Sequence, residues 1–436
     1  MKKTVLLLVL SIALTGFAQE STRFRKIDSL LTYLNQNNRF MGQVSLREGD
    51  NVVFSKAYGL PNGRKELKPD GNSKYKIGSV TKTFTAVMIL QLVEEKRLQL
   101  NTKLSKYYPQ IPNADKITIN DLLRHRSGIR DYVNADSTVV MNAKVTKKEM
   151  LARIASYPSE FEPDSKAAYS NSNYYLLGCI LEDITKTEYK TNLKNRIANR
   201  LKLKNTYIVD KVEEQRGEVL SYVYKDDKWE VVPQWDMSLP FAAGAITSNA
   251  NDLTAFLRAI FNGKLLKPES VDLMTQLKES YGIGLVTFPF GERKFFGHTG
   301  GIEGYKSVVG YYPQEKLGLS LIVNGDNYNR NDIVIGILSI YYKMPFPFPN
   351  LKTVKVDETL LKSYEGIYTS KEIPLKIHIK VDKGQLIAQA VGQGAFPLNA
   401  ISDTQFVFDP AGLEMIFGTQ TMLLKQGGME IKFVKE

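Results

Sequence analysis

The chain has 436 residues, 43% hydrophobic and 24% charged, with one cysteine, three histidines and a formal charge of +12. A single thiol excludes an internal disulfide framework, and three dispersed histidines without a His-Glu-x-x-His stretch leave no first coordination shell, so neither metal nor cofactor is expected. The length admits two or three domains with a core that needs no crosslinks. The basic balance favours an anionic partner, and without zinc-finger spacing, an RNA-recognition signature or a dense Lys/Arg block, nucleic acid is not expected.

Lys2-Lys3, the apolar run Thr4 to Leu14 and the closing Gly16-Phe17-Ala18 have the layout of a secretory signal. Residues 1–18 are read as that signal, with cleavage after Ala18 and a periplasmic or extracellular destination. The run is short for a membrane span and no other segment reaches eighteen or so apolar residues, so no integral membrane segment is expected. Anionic envelope material is then the natural partner, against the plainer reading of scattered solubilising charge.

Residues 19–343 read as one domain. Ser29 to Asn35 carries a helical pattern, and Gln43 to Arg47 with Val52 to Tyr58 form a hairpin about Gly49-Asp50-Asn51. Helices are expected after Ser79, at Ile119 to His125 behind Thr118, at Lys147 to Ala155, and over Leu253, Phe256, Leu257, Ile260 and Phe261 after Ser248 and Asn249. Cys179 sits in the apolar run Tyr174 to Ile180 and reads as a packed thiol. Strands are expected at Gly282 to Thr287, Ser307 to Tyr312 and Leu317 to Val323. Hairpin, helices and strands in one stretch suggest an α+β fold, an antiparallel β-sheet with helices packed on it. Three prolines at 345, 347 and 349 mark a linker over 344–354. Beyond it, 355–436 holds short alternating runs (Tyr364 to Tyr368, Leu375 to Val381, Gln385 to Ala390, Phe406 to Phe408, Glu414 to Phe417, Met422 to Leu424, Ile431 to Val434), the pattern of a small all-β barrel or sandwich.

Ser79-Val80-Thr81-Lys82 stands where a polar stretch gives way to Phe84, Val87, Met88, Ile89, Leu90, Leu92 and Val93, a run apolar nearly all round, as in a helix buried in a core. Residues three apart on a helix share a face, so an amine lies beside a hydroxyl that is a poor nucleophile until a base takes its proton. In a first helical turn, the free N–H groups and the dipole also favour the charge that develops during attack. Ser79 is the candidate nucleophile. Ser73-Lys74-Tyr75-Lys76 repeats the spacing, but it follows the turn signal Asp70-Gly71-Asn72 without helical continuation, and Ser73 reads as a loop residue.

An activated serine needs a proton acceptor, an oxyanion site and groups that hold substrate. Tyr169-Ser170-Asn171, read as a loop, can turn a phenol and a carboxamide into one cleft. A nearby ammonium is expected to lower the phenol's pKa so that it takes the proton from Ser79. Tyr33-Leu34-Asn35 and Tyr132-Val133-Asn134 share that spacing, Tyr33 within the first helical pattern. His298-Thr299-Gly300-Gly301 reads as a strand with His298 and Thr299 on the cleft side and glycines that let a substrate backbone approach. The N–H groups of Ser79 and Gly301 can form an oxyanion hole. His125, before a glycine turn, reads as a structural hydrogen-bonding residue, and His378 as a strand residue of the last module.

Ser79/Lys82, Tyr169/Asn171 and His298/Thr299/Gly300, in that order, resemble the serine β-lactamase and penicillin-binding-protein superfamily, and the tyrosine form of the second motif resembles its class C β-lactamase and DD-peptidase branch. Thr118 to Ile129, Ala243 to Ser248 and Gly300 to Tyr305 resemble family segments too, so the likeness spans roughly 22–342. It implies a β-lactamase/transpeptidase-like fold with a helical subdomain. It also implies an acyl-enzyme on Ser79, assistance from Lys82, Tyr169 as general base then acid, and Asn171 holding Lys82 and the substrate amide. His298 and Thr299 would face the substrate carboxylate or acyl side, with Gly301 as second oxyanion donor. Class C β-lactamases have lysine where this chain has His298; the histidine form resembles DD-peptidases, D-amino-acid amidases and esterases. The expected activity is that of an exported serine hydrolase, a DD-carboxypeptidase or D-amino-acid peptidase or amidase, on small peptide, amide or ester substrates, peptidoglycan-derived ones among them. The alternatives are a carboxylesterase, a β-lactamase and an inactive binding or sensing module. The last module resembles lipocalin-like barrels attached to such hydrolases.

Overall fold

The computed structural model describes residues 22–60, 68–135, 140–226, 228–408, 413–426 and 429–436. The expected signal segment, 1–18, lies outside them. The chain forms two compact units, Leu31–Asn327 and a second made of Tyr328–Glu436 with the residues up to Leu30. The first helix, α1 (22–36), runs across that division.

In the larger unit the expected hairpin is β1 (Phe40–Glu48) and β2 (Asn51–Tyr58), turning at Gly49 with φ +54°. A short β3 (Tyr75–Lys76) and the 3-10 turn Gly78–Val80 lead into α2 (Thr81–Glu94). Every α2 residue from Thr81 to Leu92 is buried, so the helix has no solvent face, as its all-round apolar pattern requires. Next come α3 (Ile119–Leu123) and α5 (Lys147–Ser156), each opened by a capping box, Thr118 with Asp121 and Thr146 with Glu149, and between them α4 (Tyr132–Ala135). The helix expected to reach His125 stops at Leu123, because His125 takes a left-handed φ of +57°.

The Tyr174 run is the middle of α6 (Asn171–Thr185), followed by α7 (Tyr189–Leu193), a π-helical turn Lys194–Ala198 and α8 (Asn199–Leu201). Cys179 is buried in α6, and burial pushes its thiol well up, as a packed thiol should behave. Strands β4 (Tyr207–Ile208), β5 (Tyr222–Lys225) and β6 (Lys228–Val231) precede α9 (Phe241–Gly244), β7 (Ile246–Ser248) and α10 (Ala250–Phe261), whose N-cap is Asn249. Then follow α11 (Pro268–Thr275), β8 (Val286–Phe290), β9 (Arg293–Ile302), β10 (Tyr305–Tyr312) and β11 (Leu317–Asp326).

These strands make a six-stranded antiparallel sheet, β2-β1-β11-β10-β9-β8, in which β11 returns to pair with β1, Val44 opposite Leu321. The strand expected at 282–287 starts only at Val286. Thr83 donates to the Gly284 carbonyl at 2.7 Å, and Gly284, at φ +64°, has room for no Cβ against Ala86, so the chain first bends around α2. Phe84 of α2 stacks on Phe256 of α10 with ring centroids 3.6 Å apart, joining the helix that carries Lys82 to the helix lying on the sheet.

In the second unit, α12 (Arg330–Tyr341) is followed by residues 344–357 without regular structure, where the prolines lie, and by α13 (Glu358–Ser363). The module holds nine strands: β12 (Gly366–Thr369), β13 (Lys376–Asp382), β14 (Gln385–Ala390), β15 (Phe396–Pro397), β16 (Asn399–Ala400), β17 (Gln405–Phe408), β18 (Leu413–Phe417), β19 (Thr421–Gln426) and β20 (Met429–Lys435). Their order is β15-β14-β13-β12-β20-β19-β18-β17-β16, so the two edge strands are consecutive in the chain with only Leu398 between them. A sheet whose edges are joined by one residue must curl on itself, and Tyr368, Met415 and Phe433 fill the inside. Among the described residues no helix is long and apolar enough to cross a membrane.

Because the Phe84–Phe256 stack ties α2 to the helix lying on the sheet, Phe84→Ala is expected to lower stability by about 3–5 kcal/mol. Urea unfolding checks it; a loss under about 1 kcal/mol contradicts this packing.

Candidate active site

Ser79 is the middle residue of the 3-10 turn ahead of α2, and it alone of that turn is only partly buried. The turn begins at Gly78 with φ +53°, where a Cβ would lie 2.7 Å from the Gly301 nitrogen. Only glycine allows both the dihedral and the approach, and the approach sets Ser79 beside Gly301. The strand side is fixed as well: Ser307 of β10 donates to the Ile77 carbonyl at 2.8 Å, and Ile77 donates to Ile246 of β7 at 3.0 Å.

Lys82 is fully buried on the first turn of α2. Its Nζ lies 3.0 Å from Ser79 Oγ, 2.7 Å from Asn171 Oδ1 and 2.8 Å from the Ala243 carbonyl oxygen. Burial brings the amine down to about 7, against a smaller opposing pull from Asp131. The orientation of Asn171 is not arbitrary. Its backbone N–H and its Nδ2 both donate to the buried Asp131 carboxylate at 3.1 Å, which leaves Oδ1 to face Lys82. Asp131 also accepts from Val133 N and Asn134 Nδ2.

Lys82 Nζ lies 4.8 Å from the Tyr169 ring centroid, and Ser79 is the one neighbour that opposes the effect of burial on its phenol. The expected lowering of the phenol is not found. Burial pushes Tyr169 well up, and an amine that is itself brought down to about 7 cannot hold a phenolate. His125 stacks on Tyr169 at 4.4 Å and its Nδ1 accepts from Ser170 N at 3.1 Å, so it holds the segment on which Tyr169 rides.

On β9 the pleat separates two residues that were expected side by side. Neighbouring strand residues point to opposite faces, so Thr299 and Gly301 are exposed while His298 and Gly300 are buried. His298 therefore borders Tyr169 from the buried side, with ring centroids 6.4 Å apart. Burial, then the Lys82 charge, bring it down to about 4, so it is neutral at pH 7. Its Nδ1 lies 2.5 Å from the Thr299 carbonyl, which can only accept, so Nδ1 carries the proton and Nε2 is an acceptor. Gly300 also differs from expectation. A Cβ there would lie 2.0 Å from the Ile77 carbonyl, so this glycine lets the strand pass over the serine turn, while Gly301 has open space around its Cβ position.

A hollow of about 90 Å³ opens beside Ser79, lined also by Tyr132, Val133, Asn171, Trp235, Leu239, Pro240, Ala243, Gly244, Gly301 and Ile302. Tyr132 and Val133 come from α4, and Trp235 from the segment between β6 and α9. Tyr132 and Val133, from the stretch that shares the Tyr-x-Asn spacing, thus line the hollow, although Tyr132 OH donates to the Leu239 carbonyl at 2.7 Å. Asp131 and Glu303 were not anticipated, since a single buried acid leaves no local pattern. Glu303 accepts from Lys76 Nζ at 2.6 Å and from Trp235 N at 2.8 Å, with both charged side chains fully buried. Lys76, from the rejected second tetrad, thereby clamps the turn after Gly301 to the strand before Gly78. Ser73 is a turn residue, accepting from Asp70 N at 2.8 Å.

A serine and a buried amine in contact, with a phenol ring beside the amine, fit a serine hydrolase. The chain belongs to the Beta-lactamase family, whose model matches residues 27–338. A teichoic acid D-alanine hydrolase from Staphylococcus aureus is 26% identical over 335 residues, covering 73% of this chain and 79% of the relative. A D-stereospecific amidohydrolase from Streptomyces sp. superposes with a TM-score of 0.64 at 26% identity, over 74% of this chain and 99% of its own. A penicillin-binding protein homologue from Pyrococcus abyssi, 23% identical, shares the fold over 94% of this chain and 99% of its own, with a TM-score of 0.67.

Lys76→Met leaves Glu303 as an unpaired buried charge and is expected to cost about 3–5 kcal/mol. Lys76→Met combined with Glu303→Leu should recover most of that loss in thermal or urea unfolding. Equal stability of wild type and Lys76→Met would contradict the clamp.

Proposed function

We propose that this chain is an exported serine hydrolase that cleaves amides or esters of D-amino acids through an acyl-enzyme on Ser79. The observation that carries it is the set of contacts around Lys82 Nζ. An ammonium has three donors and no acceptor, and the three oxygens around Nζ satisfy it. A neutral amine has two donors and one lone pair. Asn171 Oδ1 and the Ala243 carbonyl can only accept, so the lone pair is left facing Ser79 Oγ, the one neighbour with a proton to give.

The base role therefore falls on Lys82 rather than on Tyr169. As Ser79 Oγ attacks the carbonyl, its proton passes to Lys82, and the oxyanion is met by the N–H groups of Ser79 and Gly301. Tyr169, a phenol at neutral pH, gives its proton to the leaving amine or alkoxide and is reprotonated from Lys82. Asn171 and Ala243 hold the ammonium in between. Water then releases the acyl group by the reverse relay.

Substrate class follows from charge. His298 is neutral, and among the described residues none lining the hollow carries a cation that would pair with a carboxylate. A substrate that ends in an amide or ester fits better than a C-terminal carboxypeptide or a β-lactam. The names of the Staphylococcus and Streptomyces relatives support D-amino-acid specificity, the hollow's small size supports a small acyl group, and residues 1–18 support export.

The D-alanine nitroanilide and a D-alanyl ester should be turned over, with the L-forms and a chromogenic cephalosporin at least about tenfold slower, and Ser79→Ala should abolish turnover. Preferential cephalosporin hydrolysis would overturn the substrate reading. Because Lys82 must be neutral, kcat/KM should rise with pH through about 7 and level above it. Asp131 raises the Lys82 value, so Asp131→Asn should move that midpoint to lower pH; movement upward contradicts the account.

A further inference from the structure

Half of the chain's net charge sits in one short stretch. Residues 186–204 carry seven cations, Lys186, Lys190, Lys194, Arg196, Arg200, Lys202 and Lys204, and one carboxylate, Glu188, a net +6 against +12 for the whole sequence. Spaced two to four apart, they do not read as a block along the sequence. The run α7, π turn and α8 folds them into successive turns, and π-helical turns are rare in proteins and frequent at functional sites.

Two adjoining hollows, of about 830 and 480 Å³, open on this stretch and share Lys202 and Leu203 in their linings. The first is lined by Lys190, Lys194, Lys202 and Lys204, the second by Arg200, Lys202 and Lys264 with Arg47 and Arg258. The nearby acids are engaged: Glu188 pairs with Lys190, Asp50 with Arg258, and Asp252 accepts from Asn205 and Thr206. Lys194, Lys202, Lys204 and Lys264 are exposed and have no ion-pair partner among the described residues. None of the residues lining these hollows lines the hollow beside Ser79.

We propose that this lysine-lined groove is a second binding site, which holds a phosphate-bearing anionic polymer of the cell envelope while Ser79 acts elsewhere on the same surface material. Four unpaired ammonium groups along two joined hollows match a repeating anion, not a single small one. Lysines are point charges suited to phosphate without a fixed orientation, and the only aromatic ring in either lining, Tyr207, has the Arg216 guanidinium over its face at 5.2 Å from the centroid. The groove therefore lacks the stacking platform a nucleobase needs. The choice of an envelope polymer rests on the export reading; the binding itself does not rest on the catalytic reading.

The test is binding of long-chain inorganic polyphosphate to the mature protein, followed by fluorescence anisotropy at several salt concentrations. In Lys194→Gln/Lys202→Gln/Lys204→Gln/Lys264→Gln the affinity should fall at least about tenfold, and the slope of log K against log salt should shrink by about 3, near 0.7–0.9 per lysine. A control, Lys352→Gln/Lys355→Gln/Lys371→Gln/Lys380→Gln, should lose less than about twofold. Turnover of the small D-alanyl ester should be unchanged in both, which also shows that they fold, and Ser79→Ala should bind polyphosphate like wild type. If the fourfold variant does not fold, Lys194→Gln/Lys204→Gln should give about half the change in slope. Equal loss in the two fourfold variants, no binding by wild type at 50 mM salt or below, or tighter binding of a charge-matched single-stranded oligonucleotide than of polyphosphate, would each overturn the proposal.

Discussion

The structure depends on a lysine amine held out of water between two oxygens that can only accept. Lys82 at this depth loses the solvation that normally keeps an ammonium charged, which brings it down to about 7. The same burial would be ruinous with free geometry. What makes it useful is that Asn171 Oδ1 and the Ala243 carbonyl occupy both donors of the neutral amine, so that its lone pair is aimed by exclusion. The constraint extends one step further, because Asp131 takes both Asn171 Nδ2 and its backbone N–H and so fixes which end of the amide faces Lys82.

Much of the fold around Lys82 exists to keep that geometry. Helix α2 has no exposed face and stacks through Phe84 on α10. The turn before it needs a glycine at 78 so that β9 can come within contact, and a glycine at 300 so that β9 can pass over Ile77. The buried Lys76–Glu303 pair ties the turn after Gly301 to the strand before Gly78. Its cost in desolvation is high, and its place spans the two backbone segments that flank Ser79.

The parts of this arrangement that are local in sequence were legible there. The Ser79–Lys82 spacing, the all-round apolar run after it, the β1–β2 hairpin, and the alternating runs of the C-terminal module follow from periods of 3.6 and 2 that neighbouring residues display by themselves. What was not legible depends on long-range contact or on burial. The Tyr169 shift reverses expectation because its largest cause is desolvation, which no local pattern reveals, and burial together with the Lys82 charge lowers His298. His298 and Thr299 were placed on one face, although strand alternation alone separates them. Asp131 and Glu303 are isolated acids whose partners lie 40 and 227 residues away in the chain. The start of β8 shifted because Gly284 bends around α2, a tertiary contact that overrides strand propensity.

The central claim is tested most directly by NMR titration of the protein carrying 13C-labelled lysine side chains. One Cε resonance, absent in Lys82→Arg, should titrate with a midpoint near 7, while the exposed lysines titrate near the usual 10.4 or so. If the Lys82 resonance instead titrates with the others, the amine is charged at neutral pH, its lone pair is not available to Ser79, and the account fails.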